Sequence, residues 1–207
     1  EALLNRRDLK GNVSCNLSHA DLYGLHMMDT PFAGSLKARL DFASDFKYTH
    51  RLTGFIGNLV VDDKNKIYHA GDITLDVATR RDFTHAVVNC GDFQLHLEGH
   101  GYYDRLLSES QHFMKELQRQ LKNRKINQVM LRKRLPNARL FLRSGKDNFF
   151  VHMLNRYGYQ FARANVDMYS SPILGLNGNL QIDSLIADSM QFDTVKFRIR
   201  SDHDEFN

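Results

Sequence analysis

The segment Gly34-Ser-Leu36-Lys-Ala38-Arg-Leu40-Asp-Phe42 decides the fold class, because its even-numbered side chains from Leu36 onward are apolar and its odd-numbered ones are polar. A period of two predicts a strand with one buried face and one solvated face, which is typical of antiparallel sheets. The same glycine-led pattern recurs at 71–77, 91–97 and 178–182. Its spacings are uneven, so they exclude a solenoid of fixed repeat length.

A helical period replaces this alternation after Asp104. Met114, Leu117 and Leu121 belong to a set of side chains that recurs at steps of three and four residues. This spacing predicts a helix of about five turns, with Asp104 as its N-cap.

Two shorter helices are expected further along the chain. The first, around 126–130, should end before Pro136, because proline disfavours helical geometry in the residue before it. Alternation at 137–143 predicts another strand. The second helix follows, with Asp147 as its cap and Gly158 as the residue just past its end.

The chain is therefore predicted to be an α+β protein with a predominantly antiparallel, curved sheet and a helical insertion around 104–157. Three portions follow from the pattern. Residues 1–102 form an N-terminal β portion, 103–158 a basic helical insertion, and 159–207 a C-terminal β portion that completes the same sheet.

Composition excludes several protein classes. The 207 residues are 42% apolar and 25% charged, with 3 Pro and 2 Cys, which argues against disorder, collagen-like repeats and a disulfide scaffold. No apolar run is longer than three residues, so no membrane-spanning helix is predicted. The chain begins at Glu1 without the apolar stretch of a signal peptide, and we expect it to be a piece of a longer protein.

Positive charge is concentrated in one segment. Residues 115–146 contain eleven Lys or Arg and a single acid, Glu116. Such a field attracts phosphates, anionic lipid head groups or an acidic partner, although a solvated helical face has the same composition. The candidates for contact with an anionic partner are Lys115, Arg119, Lys122, Arg132, Lys133 and Arg134.

No local motif indicates catalysis, a metal or a cofactor. His96 and His100 have the spacing of a zinc protease motif, but they continue a strand rather than a helix. Ser44 and Lys47 have the spacing of a nucleophile and base, but a turn after the preceding strand explains them better. We therefore expect no enzyme, no metal site and no cofactor. Whether Cys15 and Cys90 form a disulfide stays open.

Two stretches resemble the TamB branch of the AsmA-like proteins of the Gram-negative envelope. The first is 13–42, with His19-Ala-Asp-Leu-Tyr23 and the run 31–40, and the second is 178–189 followed by 192–197. The resemblance implies a segment of a long periplasmic protein that a helix outside this chain anchors in the inner membrane. It also implies a curved β-sheet groove without catalytic residues. The basic helical insert departs from the family's plain β pattern and would plug, cap or dock the groove.

In such a groove, the apolar face carries phospholipid acyl chains between membranes or supports the assembly of outer-membrane proteins. The groove candidates are the apolar strand positions Leu36, Ala38, Leu40, Phe42, Ile73, Leu75, Val77, Phe93, Leu95, Leu97, Leu180 and Ile182. A one-sided sheet needs some cover, and helices, another sheet or a ligand would all serve.

Three alternatives follow from the same residues. The apolar strand positions are equally compatible with an ordinary closed core. The chain is also compatible with a structural or protein-interaction module of the envelope, in which the sheet edge or the basic helices contact an assembly partner. Nucleic-acid binding is not expected, because Phe141 is the only aromatic residue between Lys115 and Lys146 that could stack on a base.

Overall fold

The computed structural model describes residues 2–4, 8–21, 23–26, 33–62 and 67–201. The Pro31-Phe32 part of the family resemblance and the acidic tail from 202 onward lie outside the described residues. All strands of the described residues belong to one antiparallel sheet, so the chain has the expected α+β, β-rich architecture.

The first eight strands form a meander in which successive strands pair, apart from the short β5, which extends one side of β4. Their bounds are β1 Ala2–Leu4, β2 Leu9–Asp21, β3 Ala33–Ser44, β4 His50–Asp62, β5 Ile67–His69, β6 Ile73–Thr79, β7 Phe83–Cys90 and β8 Phe93–His100.

Three helices and five strands follow. They are α1 Tyr103–Lys122, α2 Gln128–Lys133, β9 Ala138–Ser144, α3 Phe149–Arg156, β10 Tyr159–Gln160, β11 Arg163–Ser171, β12 Gly175–Ala187 and β13 Met190–Ile199. Strand β9 returns to pair with β8, so α1 and α2 form an excursion between two neighbouring strands. Strands β11, β12 and β13 then extend the sheet, and β13 is its edge.

The helix starts differ from the sequence predictions. Tyr102, in extended conformation, is the N-cap of α1, and Asp104 lies in the first turn. The cap of α3 is Asn148 rather than Asp147, because its side chain accepts a hydrogen bond from the Val151 N–H. The predicted stop is confirmed, since Gly158 follows the C-cap Tyr157 with a φ of 80°.

The glycine-led pattern marks the starts of the strands only approximately. Strands β6 and β8 begin two residues after Gly71 and Gly91, and β3 begins one residue before Gly34. Gly178, however, lies inside β12, because that strand is longer than the alternating run that revealed it.

The main cluster of buried apolar residues among the described residues is small. Leu59 and Val61 of β4 are its centre, and Phe149 and Met153 of α3 pack against them. The chain exposes 14522 Å², whereas a compact folded monomer of its mass exposes about 9,900 Å². The sheet is therefore open and extended rather than wrapped around a closed core.

Candidate functional site: the apolar face of the sheet

One row of directly opposed residues crosses the sheet and is apolar at every strand. Opposed residues in an antiparallel ladder point to the same face, so the row defines a surface. We call it the central row: Val13, Leu40, Gly54, Leu75, Val88, Leu95, Leu142, Val166, Leu180 and Phe197. Nine inter-strand steps of about 4.8 Å make the row about 43 Å long.

The rows on either side continue the same face. One consists of Gly11, Phe42, Leu52, Val77, Ala86, Leu97, Leu140, Met168, Gly178 and Ile199. The other runs through Cys15, Ala38, Ile56, Ile73, Cys90 and Phe93. We call these three rows together the apolar face.

The opposite face is predominantly polar. The row between the first two apolar rows consists of Asn12, Asp41, Thr53, Asp76, Val87, His96, Phe141, Asp167, Asn179 and Arg198. Salt bridges such as Arg51–Asp76, at 3.1 Å, lie on this face. The sheet is therefore apolar on one side only, as the alternation indicated.

The structure brings the twelve sequence-predicted groove residues to one face of the sheet. Leu36 is opposite Leu17 at one end of β3. Ile182 is opposite Ala164 and Val195, near the other edge of the sheet. Whether these side chains contact lipid stays a prediction.

Sequence reasoning missed further members of the face. Leu52 and Ile56 lie in β4, whose glycines interrupt a strict alternation. Leu140, Leu142 and Val166 do alternate with polar residues, and that signal could have added them.

Helix α3 covers one end of the apolar face. The Phe93 and Phe150 ring centroids are 4.5 Å apart. Phe149 and Met153 pack against the same Leu59–Val61 cluster as Ile56 and Ile73 of the sheet. The Tyr68 ring stacks on His152 with centroids 4.1 Å apart.

The N-terminal turn of α1 covers the other end. A Cβ on Gly99 would clash with Leu106 Cδ1, so that leucine sits directly over the β8 backbone. The Tyr103 N–H donates to Thr79 Oγ1 across 3.2 Å, which ties the helix to β6. Between these two covers, the central row from Leu40 to Leu180 is half-buried rather than enclosed.

A polar chain fastens this α1 end. His50 Nδ1 lies 2.8 Å from Ser44 Oγ, and His50 Nε2 lies 2.6 Å from the Tyr102 hydroxyl. Burial, followed by the hydrogen bond with Tyr103, raises the pKa of Tyr102 to about 12. Lys47 takes no part in this series of hydrogen bonds between Ser44, His50 and Tyr102. It lies in the β3–β4 turn, where the Asp45 carboxylate accepts its N–H across 2.9 Å, so the turn interpretation of this segment is supported.

The six anionic-partner candidates lie on α1, on α2 and at the C-cap of α2. Arg119 donates to Glu116 and Arg132 donates to the Ile173 carbonyl, so both have partners inside the protein. Lys115, Lys122, Lys133 and Arg134 are exposed and make no salt bridge with any described residue. The basic segment 115–146 therefore does not form one surface. Its first part lies on α1 and α2, whereas Arg139 and Arg143 lie in β9 on the polar face of the sheet.

No group of three potential metal ligands occurs in the described part of the chain. His96 and His100 are both on the polar face, and four strand residues place them about 13 Å apart.

Cys15 and Cys90 are free thiols. They occupy one row four strands apart, about 19 Å, which is far beyond the reach of a disulfide.

Comparison of the chain with known protein families, curated proteins and solved structures finds no match. Among the described residues, no helix has the length and apolar character needed to cross a bilayer.

Proposed function

We propose that this chain is a non-enzymatic part of an envelope protein that binds phospholipid acyl chains along its apolar face. Such a surface serves phospholipid transport between membranes or the assembly of outer-membrane proteins. One observation carries the proposal: the central row is apolar at each of its strands, and between α1 and α3 no other element of the described chain encloses its half-buried residues. Contiguous apolar surface that stays accessible marks an interaction site in soluble proteins.

The physical case is that an open apolar face needs an occupant. Removing apolar surface from water contributes about 25 cal/mol per Å², and acyl chains fit a surface that offers no hydrogen-bonding groups. The central row is also longer than the roughly 30 Å hydrocarbon thickness of a bilayer. Bound chains would therefore lie along or across the strands without projecting into water.

The location follows from the resemblance to the TamB branch. We propose that the chain lies in the periplasm, as part of a protein that is anchored in the inner membrane through a segment outside this sequence. The sheet would curve into the family's groove, with the apolar face on the concave side. The two-faced sheet supports this placement, since the groove requires one side to be continuously apolar.

Site-specific photo-crosslinking tests the proposal. A benzophenone amino acid is placed at Leu95 or Leu142 on the apolar face, and at His96 or Phe141 on the polar face of the same two strands. Each protein is expressed in the periplasm of a Gram-negative cell whose phospholipids carry a radiolabel. We expect labelled lipid to be crosslinked from Leu95 and Leu142 only.

The matched positions make the result decisive, because each pair is adjacent in sequence and differs only in the face it occupies. Equal labelling from both faces, or none from either, would contradict an acyl-binding face. Crosslinking of Leu95 to residues of the same chain instead would indicate an ordinary closed core.

A second candidate is a protein-interaction module, and the sheet edge favours it. Within the described residues, β13 pairs only with β12, so its outer backbone is free to add a strand. Phe197 on that edge is 62% exposed. Crosslinking to a protein from Phe197, with no lipid from Leu95, would support this alternative over the first.

A further inference from the structure

Helix α1 presents an apolar stripe to solvent. Leu107, Met114 and Leu121 are 56%, 48% and 55% exposed. They are seven residues apart, close to two helical turns, so they lie in line on one side of the helix. We call these three residues the outer stripe.

The inward side of the same helix carries the half-buried Phe113 and Leu117, but its two fully buried residues in the C-terminal half are polar. Glu116 and Gln120 are buried, and Gln120 Nε2 donates to Glu116 Oε1 across 2.7 Å. The Asn127 N–H in turn donates to Gln120 Oε1 at 2.5 Å, which locks the α1–α2 connection onto this side. A helix that only covers a core has apolar residues at its buried positions and polar residues outside.

The buried polar contacts of Glu116 and Gln120 oppose a rotation of α1 that would turn the outer stripe inward. Rotation of α1 would expose Leu106 and break the hydrogen bonds of Glu116 and Gln120, leaving buried polar groups without partners. The stripe is therefore held facing solvent.

Charge identifies the kind of surface that it faces. Lys115 and Lys122 lie about 60–80° around the helix from Leu107, both in the same direction, so they border one side of the stripe. Residues 115–134 contain eight basic residues and one acid, Glu116, and that acid is paired with Arg119. An apolar strip with lysines along one side matches a bilayer surface, where acyl chains lie beneath anionic phosphates.

We infer that α1 is a docking helix that lies in the plane of an anionic membrane surface. Leu107, Met114 and Leu121 would enter the boundary between head groups and acyl chains, while Lys115 and Lys122 contact lipid phosphates. This inference does not depend on lipid binding by the sheet, because the outer stripe and the apolar face are separate surfaces.

Vesicle co-sedimentation of the purified chain tests the inference. The vesicles contain either phosphatidylcholine alone or phosphatidylcholine with 30% phosphatidylglycerol. We compare the native chain with a stripe variant, Leu107→Ser/Met114→Ser/Leu121→Ser, and a charge variant, Lys115→Glu/Lys122→Glu. The control is Met190→Ser, which changes an equally exposed apolar residue, 58%, away from α1. Circular dichroism and thermal melting verify that each variant is folded.

The native chain and the control should bind the anionic vesicles, and binding to the neutral vesicles should be at least tenfold weaker. The affinity of each variant for the anionic vesicles should fall about thirtyfold or more. For the charge variant, two lysines near such a surface account for a factor of that size. For the stripe variant, the buried apolar contacts are lost. Native chain that stays in solution, or a stripe variant that still sediments, would overturn the inference. Stripe-dependent dimers in analytical ultracentrifugation without vesicle binding would also overturn it and would assign the stripe to a second copy.

The two lipid proposals fail separately. If the stripe variant loses vesicle binding but keeps the lipid crosslinks of Leu95, docking and groove are both supported as independent surfaces. If Leu95 captures no lipid while the native chain still binds vesicles through the stripe, the docking inference stands and the groove proposal fails.

Discussion

Asn148 Nδ2 donates to the Asp92 carboxylate across 2.7 Å, and this bond joins the β7–β8 turn to the first turn of α3. Asn148 is completely buried and also donates to Ser144 Oγ at 3.0 Å. Its own oxygen accepts the Val151 N–H, so one side chain both caps the helix and attaches it to the sheet. The position of α3 over the end of the apolar face depends on this residue.

Asn148→Ala should therefore lower the free energy of unfolding by more than the loss of a helix cap alone would. We expect the free energy of unfolding to fall by about 2–4 kcal/mol, because the cap is lost and buried partners are left unsatisfied. Asn127→Ala is the matched control, since Asn127 caps α2 through Met130 but is exposed. It should cost about 1 kcal/mol or less. Urea denaturation measures both, and equal losses would contradict the anchoring role of Asn148.

The Asp45 carboxylate should make stability depend on acid pH. It accepts backbone N–H groups of Thr49 at 2.8 Å and of Lys47 and Tyr48 at 2.9 Å. These bonds, with that of Thr49 foremost, hold the pKa of Asp45 well below its usual range. A folded pKa below the unfolded value gives stability that is present above the unfolded pKa and is lost as pH falls through the folded one. Urea midpoints between pH 6 and pH 2 should fall less steeply for Asp45→Asn than for the native chain. Asp193→Asn serves as the exposed control, and parallel curves for Asp45→Asn and the native chain would refute the prediction.

The two thiols should differ strongly in reactivity. Cys15 is exposed, whereas Cys90 is buried beneath α3 and burial raises the pKa of its thiol. A thiolate is the reactive species, so both effects slow Cys90. At pH 8, Ellman's reagent should titrate one thiol within minutes and the second only in denaturant. Cys15→Ser should abolish the fast phase, and a fast phase that survives this substitution would contradict the burial of Cys90.

Charge on the apolar face should be far more costly than charge on the polar face. Leu142→Arg places a guanidinium in the central row, and we expect bound lipid in native mass spectra to fall several-fold. Stability should fall by about 1–3 kcal/mol in the same variant. Phe141→Arg is the adjacent control on the opposite face, where Phe141 is 37% exposed, and it should change both quantities little. Similar losses in the two variants would remove the distinction between the faces.

Local patterns predicted the strands well, because a period of two is a direct consequence of a sheet that is wet on one side. Within 36–42, 73–77 and 93–97 the alternation alone showed which side chains of each strand share a face. The end of α3 was equally accessible, since Gly158 adopts a positive φ that other residues avoid.

Long-range relationships were not accessible from the same patterns. The burial of Asn148 depends on Asp92, a residue in a distant hairpin, so sequence spacing favoured its neighbour Asp147 as the cap. The outward position of Leu107 was equally hidden, because periodicity identifies an amphipathic helix without showing which side packs. The burial of Glu116 and Gln120 also depends on the turn after α1, where the Asn127 N–H donates to Gln120 Oε1.

The pairing of β8 with β9 has a consequence for the order of folding. The meander up to β8 consists of hairpins that close over short loops, whereas β9 can join only after the ends of the segment 101–137 have met. Loop closure on that scale carries an entropic cost that short hairpins avoid. The N-terminal half of the sheet should thus act as a preformed template, and the strands from β9 onward should add to it in a later, slower step.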